Sequence, residues 1–387
     1  MSMSLNLWLE YILRFSHLVA GIAWIGSSFY FIWLDSSFVA PETPRKNVEG
    51  EVFMVHGGFY YQVEKRKIFP GEIPKTLHWF KWEATLTLLT GFCLLIFLYY
   101  LNGATLLVDS SIRAWTQTQA ISLSLGIIAA AWVIYDLIWN ANLVRSKTLS
   151  LVLSVIFFSA LTVLNFSIFS GRGAYMQTGV IFGTLMLLNV WIRILPGQSK
   201  MLKEAQAGQI PDYSVSLKSK VRSVHNTYFI FPVLFIMLSN HFPTIYNHSH
   251  NLVMLICLAI SGALIRHAMV TKLPRERWVL LPAAIGFAFL VFITAQTPEL
   301  PPAPEMVGFQ QVKAIIANRC QTCHSPNPTD DTFKVAPKGI VFENEAQVRA
   351  LADKIHVQVV VGRTMPLGNK TLMTDEERAI INQWLIQ

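Results

Sequence analysis

The chain has 387 residues, 53% of them hydrophobic and only 14% charged, whereas an average soluble protein carries roughly 25% charged residues. The deficit excludes an ordinary water-soluble globule and points to lipid as solvent. The net charge of +8 does not indicate nucleic acid as partner, because the cations fall in loops between long apolar runs, where membrane topology explains them.

Runs of about 20 apolar residues read as membrane spans. Eight are expected, over about 7–34, 80–101, 117–140, 149–169, 174–194, 224–241, 250–270 and 277–295. The first ten residues hold no Lys or Arg, and the first run is too long for a signal h-region, so no cleavable signal peptide is expected. His17 lies roughly 15 Å into span one at about 1.5 Å per residue. An ionisable group at that depth is a functional hypothesis by default. The stretch HLVAGIAWIG around it looks like the first span of some haem-b membrane proteins, so His17 is the candidate iron ligand of a haem b.

The loop after span one, from Val55, reads VHGGFYYQVEKRKIFPGEIPKTLHWFKWEA. Gly57-Gly58 permits a tight turn. Tyr60, Tyr61, Trp79, Phe80 and Trp82 offer aromatic faces, and Lys65, Arg66 and Lys67 offer cations. Together they suit a flat, anionic, hydrogen-bonding substrate. An ordinary interfacial loop, with an aromatic belt and positive-inside charge, explains the same residues. His78, Lys81 and Glu83 cluster at the start of span two. Asp35, Asp136, Arg193, His225, Asn226, Arg266 and His267 fall at similar depth, and as a set they predict a polar cavity. Asn240 and His241 lie at the opposite end of span six. His225 and His241 are sixteen residues apart, which at 100° per residue puts them on nearly opposite faces, unlike the stacked ligands of a two-haem bundle. Cys93 and Cys257 sit alone in apolar runs and read as small buried hydrophobes, not a disulfide.

Loops after spans one, three, five and seven carry sixteen cations: Arg45, Lys46, Lys65, Arg66, Lys67, Lys75, Arg145, Lys147, Lys200, Lys203, Lys218, Lys220, Arg222, Lys272, Arg275 and Arg277. Loops after spans two, four and six carry two, Arg113 and Arg172. The positive-inside rule makes the odd loops cytoplasmic. Both termini are then outside, which in a bacterium means a multi-pass protein of the inner membrane with periplasmic ends.

The Pro-rich PELPPAP, 298–304, links to a stretch of soluble composition. There NRCQTCHS contains Cys320-x-x-Cys323-His324, the attachment signature of a c-type haem. Two thiols add to the haem vinyl groups and His324 becomes the proximal iron ligand. Met365, in the Pro/Gly loop GRTMPLGN before the closing helix, is the expected sixth ligand, with Met373 and His356 as alternatives. Thr374 and Glu377 form a capping box for that helix, and Trp384 is expected to pack on the first helix of the segment. His/Met ligation raises the haem potential, so this segment should accept electrons. The periplasmic side is where covalent haem attachment takes place, so the motif agrees with the charge bias.

The segments HGGFYYQVEKRK, HWFKWEA and SVHNTYFIFPVLFIMLSNHFP resemble the bacterial integral-membrane urate oxidase family, also called urate hydroxylase or PuuD. The resemblance covers nearly the whole chain. It implies an all-α polytopic membrane bundle of about eight spans followed by a small class I cytochrome c: residues 1–297, the linker 298–304, and 305–387. The implied activity is oxidation of urate to 5-hydroxyisourate, with electrons passed to one covalent haem c and on to a soluble cytochrome c or terminal oxidase. The family supplies no residue assignment to carry over, so the site is read from this sequence. His78, His225 and His267 are the candidate bases, with Lys81 and Glu83 beside the first. Lys65, Arg66, Lys81 and Arg266 are the candidate clamps for the anion.

A urate site at the cytoplasmic end would leave electrons a hydrocarbon core of about 30 Å to cross. A haem b at His17 would relay them, and a site near Arg14, Asn240 and His241 would remove the need. Competing readings are a quinol-linked cytochrome c reductase, a tethered electron carrier and a transporter with a redox-sensing tail. One span would suffice for a carrier, and no broken-helix pair marks a transporter.

Overall fold

A computed structural model describes residues 3–140, 146–271, 273–295 and 300–387. In chain order the elements are α1 (Met3–Ser37), the strands β1 (Val48–His56) and β2 (Phe59–Arg66), and α2 (Trp82–Leu95), which runs into a π turn at Ile96–Tyr100. Then come α3 (Gln117–Asn140), α4 (Lys147–Ile168) and α5 (Gly171–Leu188), the last continuing through a π turn at Asn189–Ile194 into α6 (Leu195–Gln206). They are followed by α7 (Tyr213–Ser239), the short α8 (Pro243–Tyr246), α9 (Asn251–Val270), a 3₁₀ turn at Pro274–Val279 and α10 (Leu280–Thr294). The C-terminal segment holds α11 (Phe309–Arg319), α12 (Glu345–Arg349), α13 (Ala352–Ile355), a π turn at His356–Val361 and α14 (Asp375–Leu385).

Among the described residues, 8 helices are long and apolar enough to cross a membrane. Each overlaps an expected span, although the fifth runs on to Gln206 and the sixth begins at Tyr213. Large apolar side chains stay exposed along them, including Phe15 and Ile22 on α1, Val155 on α4 and Phe292 on α10. So much uncovered apolar surface suits a hydrocarbon solvent. Inside, polar side chains tie helices together: Tyr100 meets Ser124 at 2.7 Å, and Ser124 donates to Gln177 Oε1 at 2.7 Å. Such hydrogen bonds between apolar helices act as glue where the hydrophobic effect cannot.

Three expectations need correction. The chain is not wholly α: β1 and β2 pair antiparallel, from Val48↔Arg66 to His56↔Phe59. Their turn is Gly57-Gly58, with φ of 61° and 82°, the double positive φ of a type I′ hairpin turn. Val52, Phe53 and Val55 on one side and Phe59, Tyr60, Tyr61 and Val63 on the other are the aromatic and β-branched types that favour strands. Second, the cations placed in loops around span six are helical. Lys200 and Lys203 ride on α6, and α7 begins at Tyr213 and carries Lys218, Lys220 and Arg222. Hydropathy reports where apolarity ends, whereas a nucleated helix propagates through Lys and Ser at little cost. Third, Cys93 is exposed and Cys257 half-buried, although no disulfide joins them. Arg145 and Lys272, counted in the charge bias, lie outside the described residues, as do 298–299 of the Pro-rich linker.

The chain forms two compact units. One comprises Met1–Leu94, Ile181–Val233 and Ile260–Ala283; the other Leu95–Val180, Leu234–Ala259 and Ala284–Gln387. The C-terminal segment, within the second, has its own core of Val312, Ile316, Val348, Val359, Ile381 and Trp384. The Thr374–Glu377 capping box is formed, and Trp384 packs on Phe309 at 5.5 Å.

Candidate functional site

In the second unit, α11 ends at Arg319 and the chain turns through Cys320, whose carbonyl accepts from Cys323 N at 3.1 Å and His324 N at 2.8 Å. This turn sets both thiols and the imidazole on a cavity of about 570 Å³, whose walls include Val312, Ile316, Phe342, Met365 and Trp384. His324 Nδ1 bonds the Ile340 carbonyl at 3.0 Å, which makes it the protonated nitrogen and leaves Nε2 for a metal. Met365 is held through its backbone: its N donates to Gln358 O at 3.0 Å, and its carbonyl accepts from Arg378 at 2.9 Å. Met373 also lines the cavity and His356 does not. Desolvation in the wall pushes the Cys320 thiol up to about 12, with Cys323 and Glu377 adding to it. Two sulfurs, a free imidazole nitrogen and a thioether around one apolar cavity are a donor set that could hold a haem.

The cavity does not belong to the C-terminal segment alone. Thr105, from the chain between α2 and α3, lines it. Gly368 lies flush on that chain: its carbonyl accepts from Ser110 N at 3.1 Å, and a Cβ there would stand 2.6 Å from the Val108 carbonyl. Asn247 Nδ2 donates to the Gly362 carbonyl at 2.7 Å. Close by in the same unit, Arg172 Nε donates to Tyr99 Oη and Asn240 Oδ1, both at 3.2 Å, and its guanidinium faces the rings of Tyr99 and Tyr246. Asn240, weighed as a site residue with Arg14 and His241, thus meets Arg172, while Arg14 pairs with Glu10 at 2.8 Å.

The first unit brings the other expected residues into separate groups. From α7 and the end of α9, Tyr228 Oη meets His267 Nδ1 at 2.8 Å, and Arg266 lies 5.9 Å over the Tyr228 ring. His267 Nε2 is 3.7 Å from Glu276. Arg266 is only 3% exposed, and its Nε and Nη1 have no hydrogen-bond partner among the described residues. Asn226 accepts from Asn189 at 2.9 Å and donates to Met186 O at 2.8 Å, with His225 next to it in the chain. In a second group, His78 Nε2 is 3.7 Å from Glu83, and Lys81 lies 5.3 Å over both Trp82 and Trp191. Lys65 and Arg66 sit on β2 with their charges already met, Lys65 by Asp35 and Arg66 by Glu64 at 3.4 Å. On α1, His17 Nδ1 lies 3.0 Å from the Thr87 carbonyl and 3.1 Å from Thr90 Oγ1.

Sequence reasoning missed Tyr228, Arg172, Tyr99 and Thr105. Tyr228 stands three residues after His225 in the HNTY stretch, one helical turn on, and that spacing was its signal. Thr105 carried none, since its role depends on a contact between distant parts of the chain.

A family model described as urate oxidase N-terminal matches residues 3–296. No curated protein and no solved structure matches the chain.

Proposed function

The chain belongs to the urate oxidase N-terminal family, and on that premise we propose that it oxidises urate to 5-hydroxyisourate in a membrane and delivers the electrons to a haem c. Family membership supports the coarse part, an oxidoreductase acting on urate. The observation that carries the finer part is the cavity around Cys320, Cys323, His324 and Met365, which lies beyond the matched residues. In the proposed reaction urate monoanion and water give 5-hydroxyisourate, one proton and two electrons. His324 and Met365 would hold a haem c, whose chemistry is to accept electrons one at a time for delivery to a soluble cytochrome c or a terminal oxidase. The chain's own tasks are to hold the anion, position a water and remove its proton. Eight spans and the charge bias support a bacterial inner-membrane location with periplasmic termini.

Electrons leaving a site at the cytoplasmic end need a relay, and His17 is the residue suited to ligate one. Its Nδ1 is occupied by Thr87 and Thr90, the arrangement that orients a ligating imidazole. His17→Ala should then remove non-covalent haem, measured as protoporphyrin IX haem extracted by acid acetone. Full retention would dismiss His17 as a ligand. Met365→Ala should convert the proposed haem from low-spin to a high-spin or open form while leaving its covalent staining intact. An unchanged spectrum would give the sixth position to another residue.

The test of function is anaerobic addition of urate to oxidised membranes, with the reduced c-type absorption band as readout. Prompt reduction is expected. No reduction by urate, with dithionite still effective, rejects the urate reading, and reduction by quinol instead would install the quinol-linked alternative.

A further inference from the structure

We infer that Arg266 is the anchor for the urate anion and that Tyr228, His267 and Glu276 form the path by which the proton of the attacking water leaves. The inference rests on the urate reading and gives that reaction a seat within the first unit.

Arg266 carries the argument. Arg266 is 3% exposed and its Nε and Nη1 are buried, which is costly unless the charge is paired and those N–H groups are bonded. No carboxylate pairs with it among the described residues, and Nε and Nη1 donate to nothing. The Tyr228 ring at 5.9 Å offsets part of the charge through its quadrupole but accepts neither N–H. A structural arginine is not built this way: Arg378, equally buried at 4%, donates to the carbonyls of Val359 and Met365. Arg266 has the form of a site awaiting an anion with acceptor oxygens. Urate is a planar monoanion at neutral pH with three carbonyl oxygens, and an aromatic ring and an arginine suit it.

The neighbours supply what the reaction must discard. The new C5–O bond uses a lone pair of water, and that water's proton must go to a base. Tyr228 Oη, hydrogen-bonded to His267 Nδ1 at 2.8 Å, receives it as its own proton moves to Nδ1. The Nε2 proton of His267 then faces Glu276, 3.7 Å away on the 3₁₀ turn before α10. The two electrons leave separately towards the haem c of the proposed function, so atoms and charge balance without a further oxidant.

The experiment uses the full-length oxidised protein, kept anaerobic, with urate as probe. Two quantities are read: the urate-dependent rise in Tm, and the rate of haem c reduction against urate concentration. Wild type should be stabilised by urate, because a ligand that binds only the folded state raises Tm. Arg266→Gln should be no less stable than wild type without urate, since it removes an unpaired buried charge. Its urate-induced Tm rise should vanish and its KM should increase at least about tenfold, with Arg266→Lys between the two. Tyr228→Phe should keep KM within about twofold and lower kcat about 100-fold, the lower end for loss of a positioned proton acceptor. An Arg266→Gln protein that is destabilised and still binds urate with wild-type affinity would make Arg266 structural and overturn the seat. Reduction of haem c by urate in wild type, with Tyr228→Phe at full kcat, overturns the proton path. No urate-driven reduction in wild type overturns both the seat and the urate reading.

Discussion

Replacing both thiols, Cys320→Ser with Cys323→Ser, is expected to abolish covalent haem, read as loss of peroxidase staining at the full chain's mass on a denaturing gel. Thioether formation needs a sulfur nucleophile, and a serine hydroxyl does not add to a vinyl group. The substitutions are nearly isosteric, and the hydrogen bonds that shape the motif run through the backbone: Cys320 O to Cys323 N and His324 N, and Cys320 N to Ile316 O at 2.9 Å. The turn therefore survives, and the His324 Nδ1 bond to Ile340 O survives with it. Loss of stain then reports attachment chemistry and not misfolding, which far-ultraviolet circular dichroism and unchanged membrane insertion would verify. Urate-driven reduction in the c-type band should disappear in the same membranes. Staining at wild-type intensity would sink the attachment proposal and return Cys320-x-x-Cys323 to the alternatives of a zinc or redox pair.

The bundle was legible because its determinants are one-dimensional. An apolar run long enough to cross hydrocarbon must satisfy its backbone internally, and only a helix does so for a single span. The CxxCH cavity was legible because its donor spacing is set by one turn of chain, and the capping box because it lies within the four residues Thr374 to Glu377. The hairpin was half legible: Gly57-Gly58 announced a turn, yet positive charge and aromatics masked the strand pattern around it. What stayed hidden depends on contacts between distant residues. Lys65 and Arg66 read as anion clamps in the sequence, and only the fold reveals that Asp35, Glu64 and Glu72 stand beside them. Arg266 looked like one interfacial cation among several, and its two buried donors without acceptors, Nε and Nη1, are visible only in the fold. No periodicity reports an unpaired donor. The same limit applies to Thr105 and Gly368, whose meeting joins the chain before α3 to the loop that carries Met365.

Trp384→Ala is expected to be the most damaging substitution for the C-terminal segment, and it separates packing from attachment. Trp384 is 2% exposed, stacks near Phe309, lies under the Arg349 guanidinium at 4.2 Å and also lines the Cys320 cavity. Truncating a buried tryptophan costs about 3–5 kcal/mol, and the lost cation–π contact adds about 0.5–1 kcal/mol. Domains of this size are stable by about 5–15 kcal/mol, so a large share of the total is removed. The covalent stain should remain, because thioethers, once formed, survive unfolding. Limited proteolysis of membranes should cut within 305–387 at protease concentrations that leave wild type whole, and the stain should move to a small fragment. Trp384→Phe, which keeps an aromatic ring under Arg349, should recover much of the resistance. The chain with both thiols replaced by serine should show the opposite pair of results, no stain and little change in the apoprotein's cutting pattern relative to haem-free wild type. Wild-type protease resistance in Trp384→Ala would mean that this segment draws its stability from its seat on the chain before α3, through Ser110 and Gly368, and not from its own core. In that case Gly368→Val, whose side chain cannot fit against the Val108 carbonyl, becomes the substitution that releases it.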